Sequence, residues 1–327
     1  MKVHALRILF VLALLTIASH IFVGARSGVP WSGKALALSP ALTPPRLFGI
    51  AYVRISVADV SKARVFYNVI LKSALTLPGQ PPCDWCEIPP GSLSGDASAS
   101  GARPPRRLGP IELDSMPTPA PRDLIREIGI QVDDVRNLRA YLVSRNFTPE
   151  KITKCGVDRC VAIGDPEGHK IVFVERGGKE MPPSPIIHSG FVVADRAAED
   201  RFYKDTLGMH VYWQGGMKEN ETNWVDMQFS DGPAWIEYML GVGADADHHT
   251  LGVMNHIAIG VPDMKVAYKN LLGNGWQGTE KPQIGRDGKW QLNLYDPDDT
   301  RVELMEFRPT QKPCCSDYTG PHPGPAQ

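Results

Sequence analysis

The sequence predicts an α+β fold of four similar modules, each a strand and a helix followed by further strands. The stretch that runs to Leu71 aligns without a gap with the stretch that runs to Leu207, at an offset of 136 residues. A second pair of stretches, 127–134 and 256–263, shares one apolar alternation. Four repeats of this kind are hard to obtain by chance, so we expect one repeated unit.

Each module is predicted to open with a strand that ends in the motif Val-x-Asp. The motif begins at Val57, Val132, Val193 and Val261. An Asp two residues after the Val can accept hydrogen bonds from the free N–H groups at the start of a helix. A helix is therefore predicted after each of these strands.

The fourth module shows the rest of the unit. Alternation over 255–263 places His256 on one strand face and the aliphatic side chains on the other. A helix is predicted over 264–272. The turn signal Asp296-Pro-Asp-Asp299 then leads into a strand whose polar face carries Glu303.

Pro-rich segments mark the predicted boundaries. Residues 117–121 separate modules one and two, and 181–185 separate two and three. The stretch 79–110 is rich in Pro, Gly, Ser and Ala and is predicted to be an insertion in module one. The predicted organisation is a signal peptide 1–25, a linker 26–46, an N-terminal module pair 47–180, a C-terminal module pair 186–309 and a Pro/Gly-rich tail 310–327.

The first residues have the pattern of a secretory signal peptide. Lys2 and Arg7 precede an apolar run over 8–23, and Val23-Gly-Ala25 supplies small residues for cleavage. We therefore expect a secreted or periplasmic protein. Without cleavage, the apolar run nearly reaches membrane-spanning length and would anchor the chain.

Composition and charge exclude some classes of partner. The chain has 43% hydrophobic and 22% charged residues, as globular proteins do, and a net charge of −1. This charge gives no reason to expect nucleic acid, or an anionic membrane surface once the signal is removed, as a partner.

Six cysteines fit an exported protein, in which structural disulfides are common. Cys155 and Cys160 flank a predicted turn, so a bridge across a hairpin is expected. The motif Cys83-Asp-Trp-Cys86 has no second copy to form a zinc ribbon and opens no helix as a redox motif should. Structural bridges are favoured over a catalytic cysteine, also for the tail pair Cys314-Cys315.

A family resemblance rests on three features of the chain. They are the repeated modules, the run Phe202-Tyr203…Leu207-Gly208 and the Asp296-Pro-Asp turn before Val302-Glu303-Leu304. Together they resemble the vicinal oxygen chelate superfamily, which includes glyoxalase I, fosfomycin-resistance proteins and extradiol dioxygenases. The resemblance covers 47–309 and implies βαβββ modules in two tandem pairs, each pair a curved mixed β-sheet around a cavity. In that family, metal ligands lie on the first and last strands of each module.

The ligand positions implied by this resemblance are all filled in the C-terminal pair. They hold two imidazoles and two carboxylates: His188, Glu237, His256 and Glu303. These donors suit one divalent ion, and Zn²⁺, Ni²⁺, Fe²⁺ and Mn²⁺ are all compatible with them. The side chains expected either to line the adjoining pocket or to pack in the sheet are Trp224, Trp235, Met239, Trp290 and Arg301.

The corresponding positions of the N-terminal pair differ. They hold Tyr52, Glu112, Glu127 and Val172. A phenol and an isopropyl group do not replace an imidazole and a carboxylate as ordinary ligands of a divalent metal. We expect this pair to bind no metal and to support the other structurally.

The resemblance leaves three activities open. The first is a glyoxalase-like lyase or isomerase acting on a small substrate with vicinal oxygens, with Glu237 or Glu303 as catalytic base. The second is an Fe²⁺ extradiol-type dioxygenase that uses His188, His256 and Glu303 as a facial triad. The third is a non-catalytic protein that binds a small molecule. The filled fourth ligand position favours the first, and none of the three needs an oligomer to complete the site.

Overall fold

The computed structural model describes residues 43–71, 108–176 and 184–324, whose strands form two sheets. The strands of the first sheet are β1 (Leu47–Val57), β2 (Ile111–Ser115), β3 (Ile125–Val132), β4 (Thr153–Cys155), β5 (Asp158–Gly164) and β6 (Lys170–Glu175). Those of the second are β7 (Ile186–Val193), β8 (His210–Gly215), β9 (Trp224–Gln228), β10 (Trp235–Leu240), β11 (His256–Val261), β12 (Gln283–Ile284), β13 (Trp290–Tyr295) and β14 (Arg301–Glu306). The predicted signal peptide and the motif Cys83-Asp-Trp-Cys86 lie outside the described residues.

Helices follow the first strand of each module, as the Val-x-Asp motif predicts. They are α1 (Val60–Val65), α2 (Val135–Ser144), α3 (Arg196–Glu199) and α5 (Met264–Gly273). The capping carboxylates accept hydrogen bonds from backbone N–H groups of the first turn, and the four capping residues are Asp59, Asp134, Asp195 and Asp263. Two π-helical turns, Phe66–Leu71 and Asp200–Thr206, continue α1 and α3. The helix α4 (His248–Met254) lies in the connection between modules three and four and has no counterpart in the predicted unit.

The two sheets share one topology around their centres. In the second sheet, whose order is β12-β13-β14-β11-β7-β10-β9-β8, the first strands β7 and β11 of two modules pair antiparallel. Each also pairs in parallel with the last strand of its own module, β10 or β14. The first sheet, in the order β2-β1-β3-β6-β5-β4, repeats this arrangement around β1 and β3. The predicted α+β fold, with two curved mixed sheets of paired modules, is confirmed.

Alternation along the strands sorts the side chains into a core and a cavity. Ile257, Ile259 and Val261 point away from the cavity and are buried in the large apolar cluster that both sheets share with the helices. His256 and Ala258 lie on the opposite, concave face. Burial of the aliphatic face therefore determines which side chains reach the cavity.

Two buried Tyr–Asp hydrogen bonds link the N-terminal modules to the C-terminal ones. The hydroxyl of Tyr67 donates to Asp296 Oδ2 at 2.9 Å, and the hydroxyl of Tyr203 donates to Asp165 Oδ2 at 3.0 Å. Each tyrosine lies in a π-helical turn, and each aspartate begins the turn before a last strand. Module one is thus joined to module four, and module three to module two, by the same pair of residue types.

Replacing Tyr203 by Phe should destabilise the protein by about 1–3 kcal/mol, because the buried Asp165 carboxylate loses a donor. Urea unfolding of Tyr203→Phe and Tyr67→Phe measures this loss. Tyr141→Phe is a matched control, since Tyr141 donates to the neutral carbonyl of Thr206 at 2.9 Å. We expect a smaller loss of about 1 kcal/mol for the control. Equal losses in all three variants would contradict a special role for the two Tyr–Asp bonds.

A buried glutamate lies beside the Tyr203–Asp165 bond. Glu199 in α3 is fully buried, and its Oε1 accepts the backbone N–H of Glu167 at 3.0 Å. Burial and, to a lesser extent, the nearby charge of Asp165 together raise the pKa of Glu199 to about 8. The carboxyl therefore holds a proton in the folded protein at pH values where an unfolded chain would release it.

The raised pKa of Glu199 predicts a stability change with pH. The folded state binds the proton more tightly than the unfolded state, so its contribution to stability is present at low pH and is lost as pH rises from about 4.5 to about 8. Glu199→Gln does not titrate. Its free energy of unfolding should therefore increase relative to the parent between pH 5 and pH 8, as measured by urea unfolding. A constant difference across this range would refute the raised pKa.

The cysteine prediction holds for the hairpin pair. Cys155 on β4 is bonded to Cys160 on β5, with their Cα atoms 5.9 Å apart. The adjacent residues Cys314 and Cys315 are also paired. No helix among the described residues is long and apolar enough to span a membrane.

Candidate metal centre

Four neighbouring strands of the second sheet carry the four predicted ligands. Glu303, His256, His188 and Glu237 lie on β14, β11, β7 and β10, which are adjacent in that order. Gly190 of β7 lies opposite both His256 and Glu237. A Cβ atom at position 190 would overlap the His256 ring, so glycine is required for the imidazole to lie flat across β7.

The donor atoms converge on one point. The Nε2 atoms of His188 and His256 are 3.0 Å apart, and Glu237 Oε2 lies 3.0 Å from His256 Nε2 and 3.4 Å from His188 Nε2. Glu303 Oε2 lies 3.8 and 4.0 Å from the same nitrogens. Ligands about 2.1 Å from a common ion and at right angles to each other are separated by about 3.0 Å. The spacing of the first three donors fits a divalent ion, and Glu303 lies at the edge of the same set.

The two imidazoles have the protonation state that a metal ligand needs. Burial lowers the pKa of both histidines well below the usual range, and the cation Arg301 acts in the same direction on each. His256 Nδ1 lies 2.8 Å from the carbonyl oxygen of Met254, so Nδ1–H donates there and Nε2 presents its lone pair to the centre. Burial also raises the pKa of Glu303 to about 8, while Arg301 opposes this shift.

A cavity of about 330 Å³ opens beside these residues. Of the side chains predicted to line it, Trp224, Trp235 and Arg301 do so. Met239 does not, although it is buried on β10, and Trp290 packs against the apolar core instead. For Met239 and Trp290, ordinary packing in the sheet, which is the alternative to lining the pocket, is therefore the better description.

The cavity also contains residues that the sequence analysis missed. Asp226 on β9 lies opposite Glu237, and the alternation that places Trp224 in the cavity would also have placed Asp226 there. Asp287 and Trp213 are further lining residues. Asp287 lies in an irregular loop, so no strand or helix periodicity in the sequence predicts that it lines the cavity.

A fully buried lysine, Lys289, lies among aromatic rings beside the cavity. The Nζ atom of Lys289 is 4.5, 5.2 and 5.1 Å from the ring centroids of Trp235, Tyr212 and Tyr318. Trp235 also contacts the His188 ring, with centroids 4.8 Å apart. The aromatic faces stabilise the ammonium by cation–π attraction, and the acidic residues around it include Asp287. Burial lowers the pKa of Lys289, and the candidate ligands Glu237 and Glu303 are among the carboxylates that oppose this shift.

The N-terminal pair uses its corresponding residues differently. Glu127 Oε1 accepts hydrogen bonds from the Tyr52 hydroxyl at 2.7 Å and from Arg54 Nε at 2.8 Å, and Glu127 Oε2 forms an ion pair with Lys170 at 3.1 Å. Glu112 accepts the backbone N–H of Gly109, and Val172 packs in a small apolar cluster. The carboxylate of Glu127 is neutralised by protein cations, and these positions do not form a metal-ligand set.

A second group with metal-ligating atoms, Asp165, His169 and Glu199, lies between modules two and three. Asp165 Oδ2 already accepts from the Tyr203 hydroxyl and lies 2.9 Å from His169 Nδ1. Asp165 Oδ1 accepts two backbone N–H groups. Both oxygens are engaged by the protein, so this group is a structural hydrogen-bond network.

The fold and the convergent donors resemble those of vicinal oxygen chelate proteins. Residues 186–304 match the family model described as the Glyoxalase/Bleomycin resistance protein/Dioxygenase superfamily. The C-terminal module pair belongs to this superfamily. No curated protein matches the chain.

Solved structures of extradiol enzymes have a similar architecture. An extradiol ring-cleaving dioxygenase from B. fuscum gives a TM-score of 0.56 at 18% identity, covering 85% of this chain and 75% of that chain. Homoprotocatechuate 2,3-dioxygenase from Arthrobacter globiformis gives 0.55 at 17% identity, covering 82% of each chain. At these identities the likeness establishes the fold, which extends over both module pairs.

We expect the purified protein to bind about one divalent transition metal per chain, because one of the two module pairs presents a ligand set. Metal analysis of anaerobically purified protein measures this stoichiometry. His256→Ala should abolish binding, whereas the matched change Tyr52→Phe in the N-terminal pair should leave it unchanged. Two tightly bound ions per chain would show that the N-terminal pair is also a metal site.

Proposed function

We propose that this chain is an exported, metal-dependent lyase or isomerase of glyoxalase type that acts on a small substrate with vicinal oxygens. His188, Glu237, His256 and Glu303 would hold the ion. A divalent ion bound there supplies Lewis-acid polarisation of the substrate oxygens. The remaining requirements are a place for the substrate, exclusion of bulk water and a group that moves a proton.

The position of Glu237 is the observation that carries this proposal. Its Oε2 lies closer to both imidazole nitrogens than Glu303 Oε2 does, at 3.0 and 3.4 Å against 3.8 and 4.0 Å. Four protein donors leave two positions on a six-coordinate ion, which suits a substrate with two oxygens. Iron(II) oxygenases use a triad of two histidines and one carboxylate, which leaves further positions open. Glu237 therefore favours the lyase or isomerase.

Glu303 is the better-placed proton carrier. Its Oε1 is buried and has no hydrogen-bond partner among the described residues, whereas its Oε2 faces the imidazoles. A carboxylate oxygen without a partner beside the substrate cavity can accept a proton from the substrate and return it at the adjacent carbon. Glu303 could thus hold the ion through Oε2 while its Oε1 moves the proton.

A second activity, that of an Fe²⁺ extradiol-type dioxygenase, is supported by the architectural likeness. The similar structures are those of extradiol dioxygenases, and one is a complex of homoprotocatechuate 2,3-dioxygenase with 3,4-dihydroxyphenylacetate. In this alternative His188, His256 and Glu303 form the triad and Glu237 is dispensable as a ligand. The lyase or isomerase thus requires Glu237 as a metal ligand, whereas the dioxygenase does not.

Glu237→Gln should lower turnover of a hemithioacetal by about 10²- to 10⁴-fold, because one carboxylate of the donor set is lost. Protein loaded anaerobically with single metals is assayed against hemithioacetals and catechols, with an oxygen electrode in parallel. Glu150→Gln, an exposed change in the N-terminal pair, is the matched control and should retain full activity. Oxygen uptake stoichiometric with catechol cleavage, retained in Glu237→Gln, would reject the lyase or isomerase in favour of the dioxygenase.

A further inference from the structure

The cavity contains an arginine, Arg301, that forms no hydrogen bond with a carboxylate of the described residues. The Arg301 side chain is 14% exposed, and its Nε atom is buried without a hydrogen-bond acceptor. Among the described residues, Glu303 Oε2 is the carboxylate oxygen within 4 Å, and it lies 3.9 Å from Nη1. This distance exceeds that of a hydrogen bond, so the guanidinium retains donors for an incoming acceptor.

The N-terminal sheet provides an internal comparison. There Arg54 Nε donates to Glu127 at 2.8 Å, and Arg54 Nη1 donates to Asp114 at 3.2 Å. Both arginines lie next to a glutamate at a predicted ligand position, but Arg54 is bound by protein carboxylates and Arg301 is not. Within the described residues, Arg301 therefore retains donors for a ligand that Arg54 does not.

The opposite side of the cavity is aromatic. Trp213, Trp224 and Trp235 line it from β8, β9 and β10, three adjacent strands of module three. Arg301 is on β14, with β11 and β7 between it and this tryptophan wall. Asp226 lines the aromatic side from β9, and Asp287 accepts a hydrogen bond from Gln291 Nε2 at 3.0 Å. Among the described residues, neither of these carboxylates lies within ion-pair distance of Arg301. The cavity thus has Arg301 on one side, the two histidines on the strands between, and on the other side three tryptophans together with Asp226.

We propose that this cavity binds a small 2-hydroxy or 2-oxo carboxylate with a planar apolar body. The body lies against the tryptophan wall, and the carboxylate pairs with Arg301. Since Arg301 adjoins Glu303, a single carboxylate can face both the guanidinium and the ligand set. The inference rests on the proposed function, because it names the substrate class of the same site.

The test compares mandelate with mandelamide, its neutral analogue of similar shape. Binding to the full-length protein is followed by quenching of tryptophan fluorescence and by calorimetry, and the metal content of each sample is measured. A hydrogen-bonded charge pair is worth about 1.5–3 kcal/mol, or about 10- to 100-fold in affinity. Arg301→Gln should therefore weaken mandelate binding by about 10- to 100-fold and change mandelamide binding by less than about 2-fold. Arg301→Lys should restore part of the preference, and the exposed control Arg136→Gln should match the parent.

Two results would overturn the proposal: equal weakening of both ligands in Arg301→Gln, or no weakening of either. Circular dichroism establishes that each variant is folded, and Arg301→Met replaces Arg301→Gln in the comparison should the latter unfold. A different measurement, the metal content of the parent protein, tests the proposed lyase or isomerase function. A parent protein without bound metal would reject the lyase or isomerase, whereas an Arg301-dependent preference for mandelate in that same protein would still support the anion site.

Discussion

The antiparallel pairing of β7 with β11 is the constraint on which the candidate centre depends. It makes neighbours of two strands that are 68 residues apart in the chain, as His188 and His256 show. The aliphatic residues of β11 are buried in the core, so the register cannot slip by one residue without exposing them. Gly190 then allows the His256 ring to lie across β7. The parallel strands β10 and β14 place one carboxylate on each side of the histidine pair.

The two module pairs show how one fold can support a ligand site or close it. Each has a glutamate near a cation on its concave face. In the N-terminal pair Arg54, Lys170 and the Tyr52 hydroxyl engage Glu127, and the polar groups satisfy each other. In the C-terminal pair the acceptors Glu237 and Glu303 face neutral imidazoles, whose pKa values burial keeps low. In the C-terminal pair the nearest cation, Arg301, lies 3.9 Å from Glu303 and forms no hydrogen bond with it, so these buried groups are less fully paired. Buried groups with shifted pKa values are typical of functional sites.

Much of this architecture could be predicted from the sequence, because it depends on local patterns. The Val-x-Asp motif gives four strand ends and four helix caps, and strand alternation separates Ile257 from His256. The four ligand positions followed from the repeat together with the family resemblance, and the structure brings their side chains together. The cage around Lys289 could not be predicted, since Trp235, Tyr212 and Tyr318 come from distant segments. The unpaired Nε atom of Arg301 could not be predicted either, because it depends on the 3.9 Å distance between the guanidinium and Glu303.

The segment 310–324 covers one edge of the eight-stranded sheet and so affects how copies of the protein can associate. Thr319 donates its backbone N–H to the carbonyl of Tyr212, and Ser316 Oγ bonds both the N–H and the carbonyl of Gln214. Tyr212 and Gln214 belong to β8, the terminal strand of the eight-stranded sheet. An uncovered edge of this kind can recruit a strand from another molecule, and occupied backbone groups prevent it. The tail thereby protects this edge from strand-to-strand aggregation, a hazard for any protein that exposes a long sheet in a crowded solution.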